Sequence, residues 1–483
     1  VDFGERSCFD YYRNLYKRLK ESRWFASSSH SFIKGFGENS VTMGMKFGMV
    51  IVVVLVVALV VPPLTIAGQS SEEWPTFHGN WARTGYVDAD LPDNLELLWE
   101  FPGEWDVLQS QSTPAISGGR VYFTAENMQD IGPIFIYALD AENGELAWSY
   151  RAGRDAGAGF DPLPTVVDGR VYVGDENYLY AFDAESGGLI WRFEVPWGGG
   201  LHGVDSAPVV MENKVYFGSW DGWFYCLDAN TGELLWEYSD GDGKMGHVIK
   251  APAFSNGIIY FGTGAGSGSI KRDTFHYTGW VYALNAENGD LIWEFPIGDE
   301  ICSSPAVVDN IVYIGAGFMG HLPGDGMWAF DAHTGELLWY FDTENEPVGC
   351  PAVAHGKVYF QSDDRYLYAL DSENGSIVWK YYTDTWAWSP PIVIGDKVVI
   401  GNGELQVLDA ENGDLIFLGS IGAGGYAPAF AYGKVYIATW SPGGVQAWGA
   451  PSTLPEEESL WWLLPIGVVL IIGAIAFVWR KIL

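Results

Sequence analysis

The stretch ALDAENGELAW, residues 138–148, sets the pattern on which the chain is built: Ala138, Asp140, Gly144 and Trp148 in the order A-x-D-x-x-x-G-x-x-x-W. The pattern returns unchanged at Ala181–Trp191, Ala329–Trp339 and Ala369–Trp379. Three copies drift. Cys226 replaces Ala in the copy ending at Trp236, Asn285 replaces Asp in the copy ending at Trp293, and Phe417 replaces the final Trp. Each residue has a local cause. Asp bonds the backbone of a turn, Asn-Gly or Thr-Gly supplies the positive φ of a tight hairpin, and apolar residues alternate on either side. The motif therefore predicts strand, turn and strand, with one large ring per repeat placed to pack between neighbouring units. A residue that recurs in every repeat points to structure, since a ligand site needs a residue that stands out.

A second unit precedes every hairpin, as in SPAVVDNIVYIG at 304–315 and CPAVAHGKVYF at 350–360. It reads as another pair of short strands, so one repeat is a four-stranded blade. Seven whole repeats run from Thr113 to Ile421. Residues 426–450 supply three further strands, and LELLWEF, containing Leu97, Leu98, Trp99 and Phe101, supplies the missing fourth. Joining them predicts an all-β, eight-bladed propeller closed by an N-terminal strand, with no open sheet edge. A solenoid would leave the complementary fragments at the two ends unexplained. Trp99, Trp148, Trp191, Trp236, Trp293, Trp339 and Trp379 are the expected docking rings.

The repeat with its Trp resembles the pyrroloquinoline quinone (PQQ) enzyme repeat and the tryptophan-docking motif of quinoproteins. WPTFHGNWARTGY, residues 74–86, looks like the leading segment of that family, and the resemblance covers 74–450. It implies a fold more than an activity, because the family holds dehydrogenases as well as non-enzymatic propellers that scaffold outer-membrane protein assembly. For a dehydrogenase the resemblance implies PQQ stacked over a Trp near the axis, a disulfide of adjacent Cys above it, a calcium or lanthanide ion held by carboxylate and Asn, and an Asp base. This chain has no adjacent Cys pair and no C-x-x-C-H. Trp386 and Trp388 are placed to stack a planar cofactor or, equally, to fill the channel. The resulting expectation is a propeller of the outer-membrane-assembly type, without a cofactor. The alternative is a dehydrogenase using PQQ and calcium, oxidising an alcohol or sugar and passing electrons to a membrane acceptor.

The chain carries 26 Lys and Arg against 61 Asp and Glu, a net charge of -35 that repels phosphate backbones and argues against a nucleic-acid ligand. The uncharged run at 460–479, LWWLLPIGVVLIIGAIAFVW, has the length of a bilayer span, with Trp461, Trp462 and Trp479 as interfacial anchors and Arg480-Lys481 on the cytoplasmic side. Residues 47–68 form an apolar run that reads as a signal peptide or an uncut signal anchor. The expected organisation is an N-terminal extension at 1–46 (a cytoplasmic tail or a start-site artefact), the signal or anchor at 47–68, the propeller at 74–450, an acidic stalk at 451–459, the transmembrane helix at 460–479 and a basic end at 480–483. This places the propeller on the outer face of a cell membrane, where its partner is an extracytoplasmic protein or a cell-envelope ligand.

The turns within each strand pair are short and nearly constant, whereas the other connections vary and share one face, which makes that face the expected binding surface. Two Gly-rich insertions, 262–279 and 315–326, occupy the same loop position in adjacent blades. Candidate ligand-face residues are Asp161, His202, Asp205, His247, Lys250, His276, Asp299, Glu300, His321 and Asp325. Several converging would suit metal binding or acid-base work, whereas singly each is a solvated surface group. Cys302 and Cys350 each sit just before the Pro of successive repeats and read either as an interblade bridge or as two isolated thiols. Asn374-Gly375-Ser376 fits the glycan acceptor pattern, and its Asn-Gly also simply makes the hairpin.

Overall fold

The computed structural model describes residues 73–451 apart from 102–107, 111, 128–132, 155–161, 176, 197–202, 242–244, 249, 265–278, 298–299, 302, 318–324, 386–388 and 442. The predicted segments at 1–46, 47–68 and 460–479 lie outside these residues. No helix among the described residues is long and apolar enough to cross a membrane.

Eight sheets form the fold, as expected. Blades 1 to 7 cover 115–154, 165–194, 209–238, 253–296, 306–342, 347–382 and 392–420, each an antiparallel run of strands in sequence order. In a typical blade such as 165–194, the inner strand Thr165–Val167 and the middle strands Arg170–Gly174 and Tyr178–Asp183 are largely buried. The outer strand Leu189–Glu194 alternates between the next blade and solvent. Blade 8 takes its inner strands from the C-terminal end, and its outer strand is Glu96–Phe101, paired antiparallel with Gly443–Gly449. The predicted closure is thus made, with Leu97 opposite Trp448 and Phe101 opposite Val445.

The motif residues meet at the blade junctions. Trp148 Nε1 of blade 1 donates to the Ala184 carbonyl in the hairpin of blade 2, at 2.9 Å, and Tyr122 Oη donates to the same oxygen at 3.0 Å. The pair recurs as Trp191 and Tyr172 on Ala229, Trp293 and Tyr260 on Ala332, Trp339 and Tyr313 on Ser372, and Trp379 and Tyr359 on Ala410. Trp99 and Tyr436 of blade 8 close the ring onto Ala141 of blade 1. At Ala286 only Tyr216 donates, and the indole N–H of Trp236 has no acceptor.

The same rings explain the motif glycine. Gly335 has φ of +71°, and a Cβ there would lie 2.7 Å from the Trp293 ring. Glycine thus supplies both the turn and the flat seat on which the neighbour's indole rests.

One junction departs from this rule. Between blades 7 and 8, Val399 stands at the Tyr position and Phe417 at the Trp position, and Phe417 packs edge-on against Trp448 with centroids 6.2 Å apart. The loss has a topological reason. The last two strands of blade 8 come from opposite ends of the chain, so they share no hairpin and offer no docking carbonyl.

The N-terminal segment seals that seam instead. Tyr86 and Val87 pair in parallel with Val393 and Ile394, Asp93 forms an ion pair with Lys397 at 3.2 Å, and Leu91 and Leu95 are buried in a cluster with Ile394, Phe430 and Ala431.

The docking seat yields a paired expectation. Gly335→Ala lowers the unfolding free energy by about 2–3 kcal/mol, because strain at positive φ adds to the clash with Trp293. Gly356→Ala, where φ is +68° but no atom lies within 4 Å of the added Cβ, loses only about 1 kcal/mol. Denaturant unfolding of both variants checks the difference; equal losses would remove the indole seat as its cause.

Candidate binding face

The site is built on a channel whose turn side is closed by residues 74–87. This segment starts at the first turn of blade 1, where Glu73 accepts from Ser117 Oγ and the Gly118 N–H. It ends at the corresponding turn of blade 7, where the Gly395 N–H donates to Val87 O at 2.9 Å. Along the way its carbonyls accept the free N–H groups of the inner strands. Ile116 donates to Trp74, Val166 to Pro75, Phe254 to Trp81, Val307 to Ala82, Val353 to Thr84 and Val393 to Gly85, all at 2.7–2.8 Å. An inner edge that would otherwise be an unpaired strand edge is thereby satisfied in six blades.

Arg83 holds the plug from within. Its side chain is fully buried, and it donates to the carbonyls of Pro252 at 2.9 Å, Phe77 at 2.7 Å and Ala207 at 3.0 Å and to Thr76 Oγ1 at 2.5 Å. Burial lowers its pKa to about 9, so it remains a cation at neutral pH. His78 is also fully buried, and neither ring nitrogen has a hydrogen-bond partner. Burial, reinforced by the Arg83 charge, lowers its pKa to about 3 and keeps it neutral. Phe77 belongs to one apolar cluster with Leu163, Ala207, Ala251, Cys350 and Ala427, which lie at or just before the inner strands of five blades.

On the opposite face, a repeated backbone contact fixes the connections between blades. Trp220 N–H donates to Gly203 O at 3.1 Å, Gly264 to His247 O at 2.8 Å, Gly317 to Glu300 O at 2.9 Å and Asp363 to Glu346 O at 2.9 Å. His247, Glu300 and Glu346 therefore occupy equivalent places on successive connections. The following residues Val248 and Ile301 fill the space that Gly218 and Gly262 leave on the preceding blade.

This pinning brings three predicted residues together. His247 Nε2 lies 2.7 Å from Glu300 Oε1, the Trp220 ring stacks on the His247 ring with centroids 4.5 Å apart and planes 21° apart, and Trp220 Nε1 donates to Asp205. Glu300 is buried while Asp205, Trp220 and His247 are half-buried, so the run can meet solvent along one side. Asp325 is buried against Gly317, which also touches Glu346. Lys250 is half-buried at the approach to the inner strand of blade 4 and bonds to none of this run. Asp161, His202, His276, Asp299, His321, Trp386 and Trp388 lie outside the described residues.

Trp220 was not among the predicted residues, although in SWDGW at 219–223 it stands where six of the other seven blades carry no Trp and only blade 8, at Trp440, repeats it. The plug was also unforeseen. Cys350 is a free, buried thiol, as is Cys226, and Cys302 lies outside the described residues. Among the described residues no group of three or more His, Cys, Asp or Glu is arranged to hold a metal ion.

The family described as outer membrane protein assembly factor BamB matches residues 134–381, just over half of the 483-residue chain. A tetrathionate hydrolase of Acidithiobacillus ferrooxidans is 27% identical over 49% of this chain and 52% of its own length. A quinohemoprotein alcohol dehydrogenase of Comamonas testosteroni is 27% identical over 46% of this chain and 25% of its own. The chain thus spans between a quarter and about half of these curated relatives. The crystal structure of the Comamonas enzyme superposes with a TM-score of 0.65 at 18% identity, covering 80% of this chain and 82% of that one, a likeness of fold.

The buried His78 implies a pH dependence of definite sign. Its folded pKa lies below the ordinary 6.5, so as pH falls from about 6.5 toward 3 the unfolded chain takes up a proton that the folded chain refuses. Stability is full above this window and falls within it, by on the order of a few kcal/mol. In denaturant unfolding at pH 7 and pH 4, His78→Asn loses less stability on acidification than the wild type; parallel losses would show that His78 does not carry this dependence.

Proposed function

We propose, from the premise that this chain belongs to the PQQ-repeat β-propeller family, that it is a binding propeller whose partner docks on the loop face of blades 3 to 6. The observation that carries this reading is the run Asp205–Trp220–His247–Glu300, held by backbone contacts that repeat from blade to blade. Rigid scaffolding beneath variable loops is the arrangement that suits recognition. The half-buried acids of this rim, Asp205 and Glu346, favour a partner presenting basic or hydrogen-bond-donating groups. The apolar segments at 47–68 and 460–479 support attachment to a membrane with the propeller on its outer side, where the partner is a protein or a cell-envelope ligand.

The second reading, a PQQ-dependent dehydrogenase, draws on relatives named as quinone-linked alcohol dehydrogenases. Its candidate cofactor contacts Trp386 and Trp388 lie outside the described residues; among the described residues Cys226 and Cys350 are free thiols and no group of three or more His, Cys, Asp or Glu is arranged to hold a metal ion.

The two readings separate in one preparation. Full-length protein in detergent, incubated with PQQ and calcium, is expected to show neither bound-quinone absorbance nor dye-linked alcohol or sugar oxidation; clear turnover would reject the scaffold reading. Affinity capture from solubilised membranes is expected to recover a partner whose yield drops at least about tenfold, equivalent to 1.4 kcal/mol, with Trp220→Ala. Undiminished capture would move the docking surface away from this rim.

A further inference from the structure

We propose that Asn374 is the acceptor of an asparagine-linked oligosaccharide on the turn face of blade 6. The proposal rests on the reading that the propeller faces outward, where such transfer takes place.

Asn374-Gly375-Ser376 is the only Asn-x-Ser/Thr triplet with a non-proline middle residue in the chain. Its third position is unusual among the seven equivalent turns. Glu145, Glu233, Asp290, Glu336 and Asp414 put a carboxylate there, Gly188 has no side chain, and Ser376 alone brings a hydroxyl. A carboxylate there can occupy the amide, as it does in one of the three other Asn-Gly turns. In the turn of blade 4, Asn288 Nδ2 donates to the Asp290 carboxylate at 2.6 Å, which occupies the nitrogen that a transferase would need.

In blade 6 the nitrogen is left available. Asn374 Oδ1 accepts the Ser376 N–H at 2.9 Å, and the Asn374 N–H donates to Asp371 Oδ1 at 3.0 Å. Neither Asn374 Nδ2 nor Ser376 Oγ has a protein partner among the described residues, and both residues are exposed. The middle residue is held by packing. Gly375 is buried with φ of +72°, and a Cβ there would lie 2.6 Å from the Trp339 ring. The blade junction that seats Trp339 therefore fixes the turn and presents Asn374 outward.

The reaction is a group transfer without redox change. The donor is a polyprenyl-diphosphate-linked oligosaccharide. Asn374 Nδ2 forms a bond to the sugar C1, the bond from C1 to the diphosphate oxygen breaks, the lipid diphosphate leaves with the electron pair, and the amide gives up one proton to a carboxylate of the transferase. The product is a hydrated oligosaccharide on the turn face, opposite the rim of Asp205, Trp220, His247 and Glu300.

The test uses full-length protein in detergent with a purified oligosaccharyltransferase and a synthetic polyprenyl-diphosphate oligosaccharide, read by intact mass and by peptide mass spectrometry. One added oligosaccharide is expected on the folded wild type, none on Asn374→Gln or Ser376→Ala, and retained or higher occupancy on Ser376→Thr. An unmodified folded protein alongside a modified synthetic peptide of residues 370–380 would overturn the proposal. Source cells supply a second arm. If a membrane-impermeant label reaches the propeller on intact cells but Asn374 is unmodified, the proposal fails. If the label does not reach it, the outward placement fails, and the purified reaction still decides whether the folded turn is an acceptor.

Discussion

A single backbone carbonyl in the last hairpin of blades 1 to 7 organises this molecule. It receives a phenol O–H from the preceding blade and, in six of the seven, an indole N–H as well, while the nearby glycine gives the indole a flat surface. Removing a buried Trp costs about 3–5 kcal/mol and losing a hydrogen bond about 1 kcal/mol, so each junction is a substantial fraction of a domain's net stability. Because the blades form a ring, none is terminal and each both donates to and receives from a neighbour, save where the ring is stitched.

The stitched junction clarifies the rule. Blade 8 has no final hairpin, and blade 7 has correspondingly exchanged both its docking ring and its docking phenol for Phe417 and Val399. The covering segment replaces a directional contact with apolar burial through Leu91 and Leu95, a short parallel pairing and the Asp93–Lys397 ion pair. The same segment then accounts for the channel. Arg83 is a buried cation compensated by carbonyl oxygens, an arrangement that only a closed ring of inner strands can assemble.

The fold was legible in the sequence because its chemistry is local: Asp140, Gly144 and Trp148 each answer to a turn, a positive φ or a packing site within eleven residues. Even the closure could be read, since Trp99 sits in an outer-strand pattern with no blade of its own. The plug was not legible, because its bonds run to inner strands tens to hundreds of residues away and its own residues carry no strand or helix period. The rim was half legible. His247 and Glu300 were identified by their loop positions, but their 2.7 Å approach depends on the step from one blade to the next, and Trp220 looked like one more aromatic among 23 Trp. Hydrogen bonding between loops of different blades leaves no spacing signature in a single chain.

The plug and the outer strand of blade 8 also set an order of events. Both lie in residues 74–101, synthesised before any whole blade, yet their partners extend to Gly449. Such contacts span more than three hundred residues, and separations of this size slow folding because distant segments must meet before any stabilisation is gained. A nascent chain can stack blades 1 to 7 one upon another as they emerge, but it must hold its leading segment unengaged until the last strands arrive. The ring therefore closes as a late event, and a chain cut short before residue 449 would present an unpaired strand edge to its neighbours.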